Sequence, residues 1–346
     1  MASTSPCLLS ICIPTYRRAR LLEQSLGAVL SQITPALAET VEVIVLDNAS
    51  PDDTPDVVMR AQTEFPGIAL AFLRRPLNIG PDANFCDAPA QAHGLFLYLI
   101  SDDDILLPGA VECLVTLIRR HPDLDAFALN TRGFRRNSDE EASSVYFLLK
   151  DRLLTDRDDA LQFLKVHLTF LSCIAFRREN VVARDYRPFF STNLAQSYMF
   201  LDALAPGRGL YAVKQIYLAQ RLENNEGYNF FEVFVSNFAA LMQYAIQSGY
   251  SPEAVQAVLR HQLKYVYHMI LLFKYRGSFG SIHANYADAL RRLHRVYGWN
   301  GFVCLVLAPI MAAPAGLFPP LQRFYQRIKG YAQKAQDQKA RRQSPQ

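Results

Sequence analysis

Three consecutive carboxylates, Asp102, Asp103 and Asp104, follow an apolar run in the stretch LYLISDDDILLP. Adjacent like charges repel and raise one another's pKa, so the triplet is costly unless its charge is offset. A hard divalent cation such as Mg²⁺ or Mn²⁺ offsets it, because such ions prefer oxygen ligands and are held by one or two carboxylates together with substrate phosphates. The triplet therefore predicts a metal-bound diphosphate; a cap on the next helix is the alternative role of Asp104.

Two other apolar runs end in polar residues. The run LLSICIP leads into Pro14, Thr15 and Tyr16, and the run VEVIVL leads into Asp47 and Asn48. In open α/β sheets, ligands bind beyond the carboxyl ends of the strands, so these polar groups and the acid triplet are expected at one edge. For Asp47 taken alone, a helix cap or a turn explains the residue equally well.

Short runs rich in branched and aromatic residues alternate with helical stretches through the first 130 residues. The predicted strands are 8–14, 41–46, 69–73, 95–101 and 125–130. Amphipathic spacing predicts helices over 20–32 and 108–120, the second with Pro108 in its first turn. Because alternating strands and helices form a mostly parallel sheet covered on both faces, we expect an α/β fold.

The loop after the first predicted strand, PTYRRARLL, has no glycine. A Rossmann dinucleotide site requires G-x-G-x-x-G at this point and a P-loop requires G-x-x-x-x-G-K-[ST], so the sequence excludes both. A sugar nucleotidyltransferase is disfavoured for the same reason, because a glycine-rich loop is what lets the backbone approach a triphosphate.

Four stretches resemble the inverting glycosyltransferases of family 2, which have the GT-A fold. These stretches are SICIPTYRRARLL, VIVLDNASPDDT, LNIGPDANF and HGLFLYLISDDDILLPGA. They cover roughly the first third of the chain, and their order and spacing are more specific than any single motif. LNIGPDANF is similar to the corresponding loop of O-antigen enzymes such as abequosyltransferases. The resemblance implies a GT-A-type nucleotide-binding domain with a mostly parallel sheet, followed by a helical C-terminal region.

The resemblance also assigns a nucleotide-sugar site to residues from three loops. These residues are Pro14, Thr15, Tyr16, Asp47, Asn78 and Gly80. The first three would flank the nucleoside, and Asp47 would accept hydrogen bonds from the base or ribose. Asn78 and Gly80 would lie near the base or ribose, with Asn84 holding their loop.

The acid triplet matches the D-x-D element of that family. Asp104 would be the favoured metal ligand, and Asp102 would face the ribose or the metal. Asp103 would belong to the nucleotide-sugar site without a specific role. The implied cofactor is a divalent metal, Mg²⁺ or Mn²⁺, which stabilises the charge of the departing nucleoside diphosphate.

Inversion requires an acceptor hydroxyl to attack from the opposite side of the sugar, aided by a general base. Members of the family often carry a Glu-Asp pair at the start of a helix, where the stretch NLAQSYMFLDAL has Gln196 and Ser197 instead. Glutamine cannot accept the proton. Asp202 is the nearest carboxylate and the candidate base, with a solvated helix position as the alternative; Asp185 is a second candidate.

We expect three segments along the chain: a nucleotide-binding half over 1–130, an acceptor-binding half over 131–230, and a helical, membrane-associating region over 231–346. Arg221 and Asn225, in the stretch QRLENNEGYN, are candidate contacts to the acceptor. Core packing is the alternative role of the aromatic residues in the middle segment.

The apolar pattern of the C-terminal region predicts a segment that lies against a membrane. The stretch 301–318 is apolar and long enough to span, but Pro309 and Pro314 interrupt it, so a broken helical pair lying in the interface is expected. A single spanning helix and burial against the protein's own helices are the alternatives. The tail from Arg323 onward carries a net charge of +6, which suits anionic lipids and leaves about −2 for the rest of the chain.

Other features limit the setting and the partners. Six cysteines are scattered without metal-ligand spacing, which predicts free thiols in a reducing compartment. His261 and His268 share a helix face and are expected to be structural. The N-terminus has no signal-peptide pattern, and the tail has too few aromatic residues for a nucleic-acid partner. We therefore expect a peripheral or monotopic protein at the cytoplasmic face of the cell membrane.

These patterns together predict transfer of a hexosyl or deoxyhexosyl group from a nucleotide-diphosphate sugar to a glycan acceptor. A lipid-linked acceptor in the biosynthesis of surface polysaccharide, O-antigen or capsule, suits the predicted membrane segment. A polyprenyl-phosphate glycosyl synthase and a non-catalytic, membrane-associated scaffold that retains the nucleotide fold are the two alternatives.

Overall fold

The computed structural model describes residues 7–134, 142–144, 150–222, 228–276, 278–279, 282–283 and 285–314. The chain divides into two compact units. Unit 1 comprises Met1–Asn224 and Asn237–Gln262, and unit 2 comprises Asn225–Ser236 and Leu263–Gln346. The acceptor-side candidate Asn225, the basic tail and the last four residues of the predicted membrane segment lie outside the described residues.

The strands are numbered in chain order. They are β1 Leu9–Thr15, β2 Val41–Asp47, β3 Ala69–Arg74, β4 Phe96–Leu99, β5 Ile105–Leu106, β6 Ala126–Phe134, β7 Ala142–Ser144, β8 Arg152–Leu154, β9 Ile174–Arg177, β10 Leu210–Arg221, β11 Ser278–Phe279 and β12 Ile282–His283. All five strands predicted from the sequence are present, as β1, β2, β3, β4 and β6.

The helices are also numbered in chain order. They are α1 Ala19–Leu30, α2 Pro35–Ala38, α3 Thr54–Glu64, α4 Pro81–Cys86, α5 Ala88–Gln91, α6 Ala110–Arg120, α7 Arg157–Leu164, α8 Ala195–Leu204, α9 Phe238–Gln247, α10 Pro252–Arg276, α11 Tyr286–Tyr297 and α12 Ala308–Ala312. Short 3₁₀ segments, Lys165–Thr169 and Leu171–Cys173, precede β9.

The described strands of unit 1 form one sheet with the order β3-β2-β1-β4-β9-β6-β10-β5. β7 pairs with β6, and β8 pairs with β10. β1 is parallel to β2 and β4, β2 is parallel to β3, and β6 is parallel to β10. β9 is antiparallel to both of its neighbours, β4 and β6. The expected α/β fold with a mostly parallel sheet is confirmed.

Helices cover the sheet, and this explains why its central strands are apolar on both faces. Every residue of β1 is buried. Leu22 and Leu26 of α1 and Leu114 of α6 share one core cluster with Ile11 of β1 and Val43 of β2. Burial of a side chain of this size contributes about 1.5–3 kcal/mol, so the strands that carry the polar edge are firmly held.

Two features of unit 1 differ from the sequence-based expectation. Pro108 does not lie in the first turn of its helix, because Gly109 has a left-handed φ of 86° and α6 begins only at Ala110. β10 was not predicted, although its 12 residues pair with β5, β6 and β8. Register shifts interrupt its pairing with β6, and its burial is irregular, so it lacks the clean alternation that predicts a strand.

Unit 2 has its own apolar core. Val266, Ile270 and Phe273 of α10 pack with Leu293 of α11 and Leu307 in the segment before α12. The ammonium group of Lys274 is buried in this unit, where its Nζ donates to the carbonyl oxygens of Met311 and Ala313 at 2.6 and 2.8 Å. These bonds satisfy carbonyls at the end of α12, which have no partner within the helix.

None of the helices in the described part of the chain combines the length and apolar character needed to cross a bilayer. The described part of the predicted membrane segment, 301–314, ends its helical structure at Ala312. Val303, Leu307 and Met311 are buried in the core of unit 2, whereas the Leu305 side chain is 80% exposed. One side of the segment is thus packed against the protein itself.

The buried carboxylate of Asp125 joins three segments at the amino edge of the sheet. Asp125, just before β6, accepts hydrogen bonds from Arg208 Nε at 2.8 Å, from the Arg208 backbone N–H at 2.6 Å and from Asn180 Nδ2 at 3.0 Å. The side chain of Asp125 is fully buried. Because these donors meet at one carboxylate, the segments before β6, after β9 and before β10 are joined.

Replacement of Asp125 by alanine should therefore lower the free energy of unfolding by about 1–3 kcal/mol, since the part-buried donors of Arg208 and Asn180 lose their acceptor. Chemical denaturation of the full chain measures this loss. Asp185→Ala is the matched control, because Asp185 is exposed and, among the described residues, its side chain pairs with Arg187 alone, and surface ion pairs contribute little. Equal losses in the two variants would contradict the assignment.

The lowered pKa of His167 should make the free energy of unfolding depend on pH. Burial, with a smaller contribution from His261 and Lys165, lowers the pKa of His167 from about 6.5 to about 4. The unfolded chain therefore binds this proton more readily, so the stability is complete above pH 6.5 and falls as the pH drops towards 4. Denaturation midpoints between pH 7.5 and 4.5 should fall less steeply in His167→Gln than in the parent chain. Identical slopes would show that His167 does not contribute.

Candidate active site

The acid triplet lies just beyond the carboxyl end of β4, and its members are buried. Thr15, the last residue of β1, donates from Oγ1 to Asp102 Oδ2 at 2.7 Å. Arg18 lies on the same side, with Nη1 at 3.1 Å from Asp102 Oδ1 and 3.6 Å from Asp103 Oδ2. The ends of β1 and β4 therefore meet, as the expected convergence of strand ends requires.

Asp104 is held from the other side of β4. Ser172, in the 3₁₀ segment before β9, donates from Oγ to Asp104 Oδ2 at 2.7 Å and accepts from the Ser101 backbone N–H at 2.9 Å. The backbone N–H of Arg221, the last residue of β10, donates to Asp104 Oδ1 at 3.1 Å. Asp103 Oδ1 accepts from Ser101 Oγ at 2.6 Å. Asp102 is thus held from the β1 side, Asp104 from the side of β9 and β10, and Asp103 by its own loop.

Burial makes the triplet electrostatically strained. It raises the pKa of Asp102 to about 6, although the Arg18 guanidinium opposes the rise. Burial also raises the pKa of Asp104 well above its ordinary value, and the neighbouring Asp103 carboxylate raises it further. A bound cation would remove this strain, because an opposite charge favours the ionised form of a carboxyl group.

The donor chemistry of the triplet fits Mg²⁺ or Mn²⁺. In the part of the chain that the structure describes, no group of three or more His, Cys, Asp or Glu side chains is arranged to hold a metal ion. Mg²⁺ does not need such a cage, since it is commonly bound through one or two carboxylates and substrate phosphates. Asp102 and Asp104 therefore fit a metal that binds together with a diphosphate.

Asp47 ends β2 one strand away from the triplet and is fully buried. Its Oδ1 accepts from the Ser50 backbone N–H at 2.9 Å. Its Oδ2 lies 3.3 Å from Arg74 Nε but receives no hydrogen bond from the described residues. Asp47 therefore acts as the local turn residue and lies beside Arg74 at the edge where the nucleotide-sugar site is expected.

The loop that contains Asn78 and Gly80 is fastened to the end of β2 by Asn48. Asn48 Nδ2 donates to Asn78 Oδ1 at 2.9 Å and to the Gly80 carbonyl at 3.1 Å, while Asn48 Oδ1 accepts from the Ile79 N–H at 2.9 Å. Gly80 has a φ of 85°, which glycine adopts without strain. Asn84 Nδ2 donates to the Leu46 carbonyl at 2.9 Å, consistent with its expected role in holding this loop.

The loops that follow β1 and β2 each contain a residue with a strained backbone. Arg17 and Ala49 have φ angles of 57° and 62°, which side chains other than glycine rarely adopt. Such strain is often found at binding sites. Pro14 is buried at the end of β1, and Tyr16, which follows it, is 37% exposed, so its ring can contact a ligand at this edge.

The start of α8 contains Gln196 and Ser197, both buried. Gln196 Nε2 donates to the Thr169 carbonyl at 3.1 Å, so α8 begins close to the loop that carries Ser172. Gln196 Oε1 and Ser197 Oγ have no hydrogen-bond partner among the described residues. Asp82 accepts from the backbone N–H groups of Asn193 and Ala195 at 2.9 and 3.3 Å and thereby caps α8 from another element.

Asp202 is not the solvated helix residue that was the alternative to a catalytic base. It is only 3% exposed. Tyr244 OH donates to its Oδ1 at 2.8 Å, Tyr186 OH donates to its Oδ2 at 3.1 Å, and Arg184 Nε lies 3.9 Å away. Burial raises the pKa of Asp202. The second candidate, Asp185, is exposed, and its hydrogen bonds to Arg187 lower its pKa to about 2.

Arg221 belongs to the acid site in this structure. Its Nε lies 3.3 Å from the Asp103 carbonyl oxygen, and its guanidinium group stacks 4.6 Å above the Phe134 ring. The sequence did not point to Arg18, Arg74 or Ser172. Arg18 lies in the matched motif PTYRRARLL and was within reach of sequence reasoning, whereas Ser172 has no local signal because only the pairing of β9 with β4 brings it to Asp104.

Among the remaining predictions, the six cysteines are free thiols, as expected. His261 faces His167 closely enough to lower its pKa, and His268 Nδ1 lies 2.7 Å from the Lys264 carbonyl oxygen. Both contacts are structural.

Comparison with protein families and known proteins relates this site to sugar transfer. The model of the family described as glycosyl transferase family 2 matches residues 10–182, which is half of the chain. The abequosyltransferase RfbV of Salmonella typhimurium is 33% identical over 119 residues, 34% of this chain and 34% of that protein. A GalNAc(5)-diNAcBac-PP-undecaprenol beta-1,3-glucosyltransferase of Campylobacter jejuni is 36% identical over 107 residues, 31% of this chain and 33% of that protein. The matches thus span about a third of these relatives.

Solved structures extend the similarity of fold to most of the chain. S. aureus TarS 1-349 has a TM-score of 0.56 and 15% identity, covering 86% of this chain and 75% of that one. The mannosyltransferase PcManGT from Pyrobaculum calidifontis, in complex with GDP-Man and Mn²⁺, has a TM-score of 0.52 and 18% identity, covering 93% and 85%. These similarities confirm a GT-A type of fold.

Ser172 should be important for the stability of the acid site. Ser172→Ala leaves the Ser101 N–H and one oxygen of Asp104 without their partner, so we expect the free energy of unfolding to fall by about 1–3 kcal/mol. Urea denaturation measures the change. Ser31→Ala is the control, because Ser31 is exposed and makes only a long local bond of 3.4 Å. A loss no larger than that of the control would contradict the role of Ser172.

Proposed function

The chain belongs to glycosyl transferase family 2, and on this premise we propose that it transfers a hexosyl or deoxyhexosyl group from a nucleoside-diphosphate donor to a glycan acceptor. One observation carries the proposal. Thr15 at the end of β1 donates directly to Asp102, one of the buried acids that follow β4. Asp47 ends β2, the strand next to β1. The carboxylates at this edge suit a metal-bound diphosphate, and the exposed ring of Tyr16 suits the nucleoside.

In the proposed complex, Asp47 and the Asn78–Gly80 loop hold the base and ribose, with Tyr16 against the nucleoside. The position of Asp47 supports this assignment, because Asp47 ends β2 beside the loop that Asn48 fastens. Arg74 Nε lies 3.3 Å from Asp47 Oδ2. Asn48 fixes the loop before a ligand arrives, which reduces the entropy lost on binding.

Asp102 and Asp104 would hold the divalent metal, which supplies charge stabilisation for the departing nucleoside diphosphate. Arg18 lies beside the triplet, with its Nη1 bound to Asp102. An arginine at this point can also bind a phosphate, because its planar fork matches phosphate oxygens. The chain itself thus offers a positive group beside the acids.

The proposed reaction inverts the anomeric carbon, since the acceptor hydroxyl attacks from the side opposite the diphosphate. Asp202 is the proposed general base, because burial raises its pKa and so increases its affinity for a proton. Tyr186 and Tyr244 occupy its oxygens, so one phenol has to give way to the acceptor hydroxyl. Asp185 is a weaker candidate, because its pairing with Arg187 lowers its pKa.

The proposed acceptor is a lipid-linked glycan of a surface polysaccharide, such as O-antigen or capsule. The names of the two relatives support this class, one being an abequosyltransferase and the other a glucosyltransferase named for a sugar chain linked through PP to undecaprenol. Leu305 and Trp299, exposed by 80% and 58%, and the basic tail suit a peripheral position at the cytoplasmic face of the membrane.

Binding of nucleoside diphosphates tests the proposal without knowledge of the sugar. The full chain is heated with UDP, GDP, CDP or dTDP in the presence of Mn²⁺. A ligand at 100 times its Kd stabilises the folded state by about 2.7 kcal/mol, so one nucleotide should raise Tm by a few degrees. Asp104→Asn should abolish this shift, and the shift should also disappear when the metal is chelated.

Asp53→Asn is the matched control, because Asp53 is exposed at the start of α3 and makes no side-chain cap. It should respond to the nucleotide like the parent chain. If no nucleotide stabilises the parent chain, a non-catalytic scaffold is the better explanation. If a nucleotide binds and the sugar is transferred to a bare polyprenyl phosphate, the protein is a polyprenyl-phosphate glycosyl synthase.

A further inference from the structure

A second cavity in unit 1 lies beside the Asn78–Gly80 loop. It has a volume of about 480 Å³, which is within the usual range of small-molecule sites. Arginine, aspartate and apolar side chains line it, and we call it the arginine pocket after Arg75, Arg184 and Arg187; its lining also includes Asp87, Asp185, Ile79, Val182 and Phe190. Ile79 connects the pocket to the donor side, because its backbone N–H is bound by Asn48.

The three arginines of the pocket differ in how far acidic side chains bind their guanidinium groups. Arg75 is paired with Asp87, and Arg187 makes a two-point bond to Asp185 at 2.8 and 2.9 Å. The carboxylate closest to Arg184 is Asp202, at 3.9 Å, which is too far for a hydrogen bond. Among the described residues, none accepts a hydrogen bond from the Arg184 guanidinium, and its side chain is 60% exposed.

Arg184 therefore has free donors at the mouth of the pocket. Asp202 does not use them, because its oxygens already accept from Tyr186 and Tyr244. A guanidinium group with unoccupied, fork-shaped donors matches the oxygens of a phosphate better than those of a neutral sugar. The charged part of the expected ligand is therefore a phosphate or a diphosphate.

Part of the exposed lining of the pocket is apolar. Ile79 and Val182 are 39% and 38% exposed, although side chains of this type are usually buried. Phe190 and the Tyr186 ring extend the same lining. A free inorganic anion gains nothing from these side chains, whereas a phosphate on a hydrocarbon chain buries apolar surface against them at roughly 25 cal/mol per Å².

We propose that the arginine pocket binds the phosphate end of an isoprenoid phosphate or diphosphate, the carrier part of a lipid-linked acceptor. This inference rests on the proposed function for its biological meaning, but it concerns a site separate from the acid triplet. The carrier phosphate would bind Arg184, and the first isoprene units would pack on Ile79 and Val182.

Binding of farnesyl diphosphate to the full chain tests the proposal. The titration is made calorimetrically in EDTA, so that no metal links the diphosphate to the acid triplet. We expect saturable binding by the parent chain and at least tenfold weaker binding by Arg184→Gln. Arg60→Gln is the matched control, because Arg60 is an exposed arginine paired with Glu23 on other helices, and it should bind like the parent chain.

Two further ligands separate the sources of the phosphate group. Inorganic diphosphate should bind at least tenfold more weakly than farnesyl diphosphate, because it lacks the apolar part. Short-chain phosphatidylglycerol should likewise bind more weakly if the site is built for isoprenoids. Val182→Glu places a negative charge on the apolar rim and should weaken farnesyl diphosphate binding without removing Arg184.

Three results would overturn the proposal: equal affinity in the parent chain and Arg184→Gln, equal affinity for inorganic and farnesyl diphosphate, or displacement of farnesyl diphosphate by excess UDP. The last would mean that the ligand occupies the donor site. Failure of the proposed function is a different outcome, since a chain that binds farnesyl diphosphate through Arg184 but no nucleoside diphosphate would keep this pocket and lose the transferase assignment.

Discussion

The burial of three adjacent carboxylates at the end of β4 is the constraint on which the rest of the site depends. Thr15 supports Asp102 from β1 on one side, and Ser172 supports Asp104 from the segment before β9 on the other. Each bond joins β4 to one of its two neighbours in the sheet. The arrangement of strands around β4 therefore stabilises the acids, and a shift of either neighbouring strand would remove one of the donors of a buried carboxylate.

The donor-side loops were predictable because their residues are local to strand ends. Apolar runs located β1, β2, β3, β4 and β6, and the rule that ligands bind at carboxyl ends brought Asp47 and the triplet to one edge. For polar residues that directly follow a strand, the sequence alone indicates their position in the fold. For the same reason the alternation of strands and helices was sufficient for the α/β fold.

What the sequence did not reveal depends on contacts between distant segments. Ser172 and Arg221 reach Asp104 across sequence separations of 68 and 117 residues, and no local pattern encodes such a meeting. The start of α6 was misplaced because Gly109 takes a left-handed conformation that only its φ angle reveals. Asp202 looked like a surface residue, since its phenol partners come from the segment before α8 and from α9.

The direction of β9 has a consequence for how such an enzyme can be altered. Because β9 runs antiparallel between β4 and β6, the chain enters it at the carboxyl edge, and the segment 165–173 necessarily lies beside the acids. A connecting segment, and not a strand of the parallel part of the sheet, therefore supplies the hydroxyl group that donates to Asp104. Any exchange of residues 165–173 would have to keep a donor at position 172, because Ser172 also accepts from the Ser101 backbone N–H.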